Sequence, residues 1–434
     1  MMYYSTNGKA PLASLEKAVV RGLAEDRGLY MPEQIPVLPD DFYAHIQTLT
    51  FQEIACTVAD ALFHGDVRTK ELHRIVKETL SFDCPVVPVT RSIGALELFH
   101  GPTLAFKDVG ARFMARLLSY FTRASRDRRT IHVLVATSGD TGSAVANGFL
   151  GVEGVQVHVL YPKGKVSPIQ ESQFTTLGQN ITALAVDGTF DDCQALVKNA
   201  FMDPDLERLR LTSANSINVA RLLPQSFYYF HAYAQMKRLG LAEQLVVCVP
   251  SGNFGNLCAA LIAKRMGLPV KRFVAANNAN DVFYQYLQTG AYAPRPSIPT
   301  LANAMDVGDP SNFARILDLY GHDWETLTAD ISGCVSSDLE IRSAIADCRR
   351  QYGYLLDPHG ACAFRGVYHK LAPGESAVIC ETAHPAKFKD IVEDAAGVRV
   401  RVPERLAAFM RGLKQSVPMG SDYASFKFYL SQLK

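Results

Sequence analysis

The chain has 434 residues, 48% of them hydrophobic, and a formal net charge of +1 at pH 7. At about 150 residues per domain, this length predicts two or three domains with substantial cores. Because basic and acidic residues nearly balance, a nucleic-acid-binding surface is not expected, and the charge pattern indicates no macromolecular partner.

Nine cysteines are spread along the chain without a Cys-x-x-Cys pair, so neither a metal site nor a redox motif is predicted. An odd number of scattered thiols is typical of a reduced, cytoplasmic protein. The first residues carry no secretory or transit leader, and no apolar stretch is long enough to span a bilayer. We therefore expect a cytoplasmic protein with no membrane association.

Residues 1–85 are predicted to form a separate, mostly helical N-terminal unit. Pro85 and Pro88 interrupt the chain and mark a plausible boundary. Within this unit, the spacing of apolar residues predicts helices around Phe42–Leu49, Phe51–Phe63 and Thr69–Leu80.

The rest of the chain alternates between apolar strands and helices, which predicts an α/β fold with mainly parallel sheets in two three-layer domains around a cleft. We expect a small α/β domain over 126–240 and a large one built from 86–125 and 241–434. Ligands of such sheets bind at the carboxyl ends of the strands. The strands are predicted at Leu96–Phe99, Ile131–Ala136, Val155–Leu160, Ile181–Val186, Leu245–Val249, Arg272–Ala276 and Ala377–Cys380.

The loop His100–Asp108 places Lys107 in an apolar setting just before a predicted helix, Val109–Phe121, for which Asp108 is a good N-cap. Burial of a lysine lowers its pKa, which suits a lysine that forms a Schiff base and then acts as a base. The alternative is a structural lysine paired with Asp108.

Two further loops follow apolar strands and open helices. In Ser251–Asn256, glycines allow close backbone approach, and the N–H groups of a helix N-terminus attract an anion such as phosphate. Ser138–Gly142 adds two hydroxyl groups and could bind a carboxylate or a second phosphate. A plain turn remains possible for the first loop. In the second, Asp140 or Thr141 could simply cap the helix.

A lysine, a phosphate cradle and a second anion loop together suggest pyridoxal 5'-phosphate, although these residues alone leave the cofactor open. The P-loop and the Gly-x-Gly-x-x-Gly fingerprint are both absent. Five motifs, however, resemble those of the threonine synthases, a family of pyridoxal-phosphate enzymes of fold type II: His100–Asp108, Ala136–Gly142, Ser213–Asn218, Pro250–Asn256 and Asn303–Gly308.

The resemblance extends from the N-terminal unit to Ala383–Phe388 and implies a carbon–oxygen lyase. Such an enzyme converts O-phospho-L-homoserine and water into L-threonine and phosphate. Lys107 would then be the Schiff-base lysine that moves protons among Cα, Cβ and Cγ. The cofactor phosphate would be bound by backbone N–H groups of Gly252, Asn253, Phe254 and Gly255.

The same resemblance implies that the Thr382 hydroxyl meets the pyridine nitrogen and leaves it largely unprotonated, and that Asp140 lies near the ring hydroxyl. Ser138 and Thr141 would hold the substrate α-carboxylate. The substrate phosphate would be bound by Asn215, Ser216 and Arg221.

A guanidinium group suits this last role because it binds phosphate through two parallel hydrogen bonds. The alternative for Arg221 is an ordinary ion pair on a helix surface. His100, His384, Asn303 and Asp306 lie in or beside the motifs but have no assigned role.

Two other functions remain open. A different fold type II enzyme, such as a threonine dehydratase or a β-replacing synthase, would share the lysine and glycine loops but would not need Arg221 for a substrate phosphate. A non-catalytic binding protein on the same scaffold is the second, although Lys107, the glycine loop and Thr382 are all present.

Overall fold

The structure, a computed structural model, describes residues 1–125 and 127–433. The strands are β1 (Met2–Ser5), β2 (Ala13–Ser14), β3 (Tyr30–Pro32), β4 (Val86–Pro88), β5 (Ile93–Glu97), β6 (Ile131–Ala136), β7 (Val155–Pro162), β8 (Ile181–Val186), β9 (Arg210–Ser213), β10 (Leu245–Pro250), β11 (Arg272–Asn277), β12 (Ile331–Val335), β13 (Ser376–Glu381) and β14 (Val417–Met419).

The α-helices are α1 (Leu15–Arg21), α2 (Asp40–His45), α3 (Phe51–Phe63), α4 (Thr69–Thr79), α5 (Lys107–Ala124), α6 (Asp140–Phe149), α7 (Pro168–Thr175), α8 (Phe190–Met202), α9 (Val219–Leu222), α10 (Ser226–Arg238), α11 (Gly255–Arg265), α12 (Val282–Thr289), α13 (Phe313–Leu319), α14 (Trp324–Asp330), α15 (Asp338–Tyr352), α16 (Pro358–Val367), α17 (Lys389–Ala396), α18 (Glu404–Met410) and α19 (Tyr423–Ser431). Short 3₁₀ helices cover Ile46–Thr48, Pro204–Leu206, Leu223–Gln225, Asn303–Met305 and Pro385–Phe388.

The chain divides into two compact units. The first contains Met1–Glu33, Lys107–Arg221 and the C-terminal part from Val402, and the second contains Gln34–Phe106 and Leu222–Arg401. The division into domains expected from the sequence, with boundaries near 85, 125 and 240, stays a prediction.

In the first unit, a five-stranded parallel sheet has the order β14-β8-β7-β6-β9. Every residue of β6 is buried, as expected for a parallel strand covered on both faces. One side of the sheet packs against α8 and α19, where Leu134, Leu160 and Leu184 share a core with Phe426. A small antiparallel sheet of order β2-β1-β3 lies within the first 33 residues and was not predicted.

In the second unit, a six-stranded sheet has the order β12-β11-β10-β13-β5-β4. Its strands are parallel except for the edge strand β4, which pairs antiparallel with β5. The carboxyl ends of β10 and β13, at the middle of the sheet, lead directly into two of the predicted site segments, Ser251–Asn256 and the segment that begins at Thr382.

The predicted N-cap role of Asp108 is wrong. Helix α5 already begins at Lys107, so Asp108 lies in its first turn. The Asp108 side chain is 1% exposed and interacts electrostatically with the buried guanidinium group of Arg221. The carboxylate is therefore used in a tertiary contact.

Three simple observations complete the fold. Among residues 1–125 and 127–433, no helix is long and apolar enough to cross a membrane. Within the same ranges, no group of three or more His, Cys, Asp or Glu side chains could hold a metal ion. All nine cysteines are buried thiols outside any disulfide.

Candidate active site

The lysine loop is joined to the segment that follows β13. The backbone N–H of Phe106 donates to the carbonyl oxygen of Thr382 at 2.8 Å, and Ala105 forms an antiparallel bridge with Ala383. Lys107 comes next in the chain, begins α5 and is half-buried. The residue that precedes Lys107 is thereby bonded to the residue predicted to meet the pyridine nitrogen.

The predicted phosphate loop, Ser251–Asn256, leads into a helix N-terminus without a side-chain cap. Phe254 occupies the N-cap position of the 11-residue helix α11 in a left-handed conformation (φ 60°), and its side chain makes no capping hydrogen bond. The Phe254 ring is buried and lies 4.4 Å from that of Phe283. Packing of the ring can offset the cost of the left-handed backbone. The N–H groups from Gly255 onward are therefore suited to an external anion.

The same loop is held on both sides by the segment 303–312. A Cβ atom on Gly252 would lie 2.6 Å from Cα of Met305, so only glycine fits there. The Asn253 side chain accepts a hydrogen bond from the backbone N–H of Ser311 at 2.6 Å, and its carbonyl oxygen accepts one from Asn312 at 2.9 Å. Asn253 thus fixes the loop with its side chain and its carbonyl oxygen.

Asp306, which had no assigned role, organises this segment. Its carboxylate accepts hydrogen bonds from the Thr300 hydroxyl at 2.7 Å, the Asn278 amide at 2.8 Å and the Asn280 amide at 3.1 Å. Burial raises the pKa of Asp306 to about 6, against the lowering effect of these hydrogen bonds. Asn303 is half-buried and begins the 3₁₀ turn before it.

His100 and His384 have structural contacts. His100 Nε2 lies 2.7 Å from a carboxylate oxygen of Glu97. His384 Nδ1 accepts a hydrogen bond from the backbone N–H of Ala386 at 3.1 Å, and its ring packs edge-on against Phe99. Burial lowers the pKa of His384.

In the first unit, Thr137 shapes the predicted second anion loop, Ser138–Gly142. The sequence alone assigns no role to this threonine. Thr137 Oγ1 accepts hydrogen bonds from the backbone N–H groups of Gly139 at 2.9 Å and Gly142 at 2.8 Å. Gly139, at φ 143°, is the N-cap of α6 and offers no side chain. The alternative in which Asp140 or Thr141 caps this helix is therefore wrong.

This loop and the Asn215 segment meet at one edge of the parallel sheet. The Asn215 side chain donates to the carbonyl oxygen of Ala136, the last residue of β6, at 3.0 Å. Strands β6 and β9 are neighbours, so the loops that follow their carboxyl ends lie side by side. Ser138, Thr141 and Ser216, like Asn215, are half-buried. The structure thus brings together both predicted groups of substrate-binding residues.

Asp140 has a partner that the sequence did not reveal. Gln170 Nε2 donates to Asp140 Oδ1 at 2.9 Å, and the Ser167 hydroxyl bonds to the other end of the same amide at 3.0 Å. A Cβ on Gly139 would lie 2.6 Å from the Gln170 side chain, so glycine there makes room for it. Gln170 lies in the first turn of α7, where its backbone N–H donates to the N-cap Ser167, and its side chain orients Asp140.

Arg221 is buried, with 3% of its surface exposed, which rules out an ordinary surface ion pair. Its guanidinium group donates to the carbonyl oxygen of Ala214. Burial lowers the pKa of Arg221 to about 10, and the nearby Asp108 carboxylate opposes that shift. Since 10 is well above neutral pH, the side chain stays charged and provides a buried cation next to the Asn215 segment.

Three family models match most of the chain. The model described as "Pyridoxal-phosphate dependent enzyme" matches residues 94–381, "Threonine synthase N terminus" matches residues 2–80, and "Threonine synthase, C-terminal" matches residues 359–427. Curated threonine synthases of Haemophilus influenzae and Escherichia coli are 44% and 42% identical over 431 residues. These alignments cover 99% of both chains in the first case and 98% in the second.

Comparison with solved structures points to the same family. The threonine synthase of Escherichia coli superposes with a TM-score of 0.94 at 40% identity, covering 99% of both chains. That of Brucella melitensis, with pyridoxal phosphate bound, superposes with a TM-score of 0.91 at 34% identity, covering 99% of this chain and 98% of that one. The expected α/β fold of type II is thereby confirmed. With these full-length matches, the chain belongs to the threonine synthase family of pyridoxal-phosphate-dependent enzymes.

Proposed function

We propose that this chain converts O-phospho-L-homoserine and water into L-threonine and phosphate, with pyridoxal phosphate as cofactor. The observation that carries the proposal is the sheet edge in the first unit. There the hydroxyl-bearing loop of Ser138 and Thr141 adjoins the Asn215 segment and the buried cation Arg221. A binding site for a carboxylate next to a binding site for a phosphate matches a substrate that carries both groups.

The residues of the second unit fit the cofactor phosphate. An uncapped N-terminus of an 11-residue helix and a glycine pressed against the neighbouring backbone form the type of backbone cradle that binds phosphate. We propose that Gly252, Asn253, Phe254 and Gly255 hold it through their N–H groups. When bound, pyridoxal phosphate supplies an electron sink that stabilises negative charge next to the substrate amine.

We assign the proton transfers to Lys107. Its amine would hold the cofactor aldehyde and then carry protons among Cα, Cβ and Cγ of the substrate. The Thr382 hydroxyl would meet the pyridine nitrogen. Because a hydroxyl is neutral, it does not favour protonation of that nitrogen as a carboxylate would. Asp140, oriented by Gln170, would lie near the ring hydroxyl.

Substrate binding divides between two groups of residues. We propose that Ser138 and Thr141 bind the α-carboxylate, and that Asn215, Ser216 and Arg221 bind the phosphate. A pKa of about 10 keeps Arg221 charged at neutral pH, so it can stabilise phosphate in the substrate and after its release. We also propose that the protein works in the cytoplasm, where its nine buried thiols remain reduced.

The test is the release of phosphate and the formation of threonine from O-phospho-L-homoserine by wild type, Lys107→Ala and Lys17→Ala. Lys17 is a partly exposed lysine in an ion pair with Glu25, so its variant controls for the loss of a lysine in the same unit. We expect both products from wild type and Lys17→Ala. We expect loss of more than about 10³-fold in Lys107→Ala, because nucleophile and base are removed together.

A wild-type protein that binds pyridoxal phosphate but releases no phosphate would refute the proposal. Turnover of threonine or O-acetylserine by that protein would then identify a different fold type II enzyme. Turnover of neither compound would favour a binding protein.

A further inference from the structure

A buried histidine in the second unit contacts the segment that packs on the phosphate loop. His359, 2% exposed, lies in the first turn of α16. Its Nδ1 lies 2.6 Å from Oδ1 of Asp357, which is fully buried and also caps the helix. Its Nε2 lies 3.2 Å from the backbone nitrogen of Ala304.

These two contacts determine the state of the ring. A backbone N–H can only donate, so Nε2 must be the unprotonated acceptor for Ala304. Nδ1 must then carry the proton and donate it to Asp357. The ring is a neutral imidazole in one tautomer, and it presents a lone pair to Ala304.

Ala304 and Met305 are the residues that pack against Gly252. A Cβ atom on Gly252 would lie 2.8 Å from the carbonyl oxygen of Ala304 and 2.6 Å from Cα of Met305. The position of this turn therefore sets how closely the first glycine of the phosphate loop can approach the cofactor. At its other end the turn is held independently, by the hydrogen bonds of Asp306.

We propose that His359 is a positioning residue for the cofactor phosphate: its Nε2 holds the Ala304 turn against Gly252 and so fixes the backbone N–H groups of the phosphate loop. This inference rests on the proposed binding of phosphate by Gly252 to Gly255. We assign His359 no contact with cofactor or substrate: it acts through the backbone of Ala304 and Met305.

The test compares the affinity of the full-length apoprotein for pyridoxal phosphate in His359→Phe and His359→Gln. Phenylalanine keeps a ring but loses the acceptor, whereas the glutamine carbonyl oxygen can accept the Ala304 N–H in place of Nε2. We expect the Kd of pyridoxal phosphate to rise about tenfold in His359→Phe, because the Ala304 turn loses its hydrogen bond to Nε2, and to return within about threefold of wild type in His359→Gln. The ³¹P resonance of the bound cofactor should shift in the first variant only.

His231→Phe is the matched control, because His231 is another buried histidine of this unit whose ring stacks on Phe51 and is bonded to Asp83. It should destabilise the protein without changing cofactor affinity. A wild-type Kd in His359→Phe would overturn the inference, as would a His359→Gln variant as weak as His359→Phe. Cofactor affinity is read without turnover, so a wild type that binds pyridoxal phosphate but makes no threonine refutes the proposed function alone.

Discussion

Replacement of Gly110 by alanine tests whether α5 positions the buried cation. Gly110 lies within α5, and its missing side chain leaves room for α9, which carries Arg221. A Cβ there would lie 2.6 Å from the carbonyl oxygen of Arg221 and 3.1 Å from its Nε. The substitution therefore introduces a methyl group where the backbone of Arg221 now lies.

Two effects compete in Gly110→Ala. Alanine in a helix interior is favoured over glycine by about 1 kcal/mol, which alone would stabilise the variant. Against it, atoms that prefer about 3.5 Å must separate by roughly 0.9 Å, and overpacking of this kind costs about 1–3 kcal/mol. Because the obstructing atom belongs to the backbone, rotation of a side chain cannot relieve the contact. The gain subtracted from the cost leaves a net loss of about 0–2 kcal/mol in the free energy of unfolding, and we expect the upper half of that range, about 1–2 kcal/mol.

The variant should be assayed by urea unfolding and by the KM for O-phospho-L-homoserine. We expect a lower urea midpoint and a KM raised about tenfold, since a displaced Arg221 loses its fit to the phosphate. Affinity for pyridoxal phosphate should not change. Gly148→Ala is the control: it is also a helical glycine, but its nearest contact is 3.1 Å. If Gly110→Ala proved as stable as wild type with an unchanged KM, the reasoning would be refuted.

Two buried groups should give opposite pH dependences of stability, each read as the urea midpoint against pH. Burial and the neighbouring Asp357 carboxylate raise the pKa of Glu381 well above its ordinary value, so the folded protein keeps a proton that the unfolded chain loses above about pH 4.3. Stability from this group falls as pH rises by about 1.4 kcal/mol per unit. Glu381→Gln should remove the fall that begins above about pH 4.3, and equal slopes in both proteins would contradict it. Burial lowers the pKa of His158 to about 3, with a further contribution from His132, so only the unfolded chain gains a proton there below about pH 6.5. Stability from His158 is lost as pH falls from about 6.5 towards 3, and His158→Gln should flatten that loss; an unchanged acid slope would show that His158 is not the cause.

The strands that could be predicted most accurately are those whose run of apolar residues is visible within the strand itself. Ile131–Ala136 and Ile181–Val186 agree with the observed strands because a continuous apolar run is what a parallel strand buried on both faces requires. The first small sheet escaped prediction. Its strands have only two to four residues, and β1 finds its partner β3 far along the chain. Such short strands are formed by pairing and not by local preference.

The candidate site, too, could be predicted from the sequence only in part. Its loops could be predicted because each follows a recognisable strand, but the contacts that orient its side chains could not. Gln170 reaches Asp140 across 30 positions, and His359 reaches Ala304 across 55. Neither pairing leaves a periodic or compositional signal, since one hydrogen bond requires only a single suitable residue at each end. These contacts depend on how the helices pack on the sheets, which one sequence does not reveal.

Gly252 shows how a correct motif can rest on more than one physical cause. The sequence attributes this glycine to close approach of a phosphate, yet the atom nearest to its missing side chain is Cα of Met305. Packing of the 303–305 turn alone would therefore require glycine, whether or not an anion binds. The feature that favours an anion is the next part of the loop, where Phe254 adopts a left-handed conformation and leaves the N-terminus of α11 without a side-chain cap. Because the turn packs directly against Gly252, we expect a change that moves the turn to move the N–H groups of the loop as well, and for this reason a histidine bonded to Ala304 can control cofactor affinity.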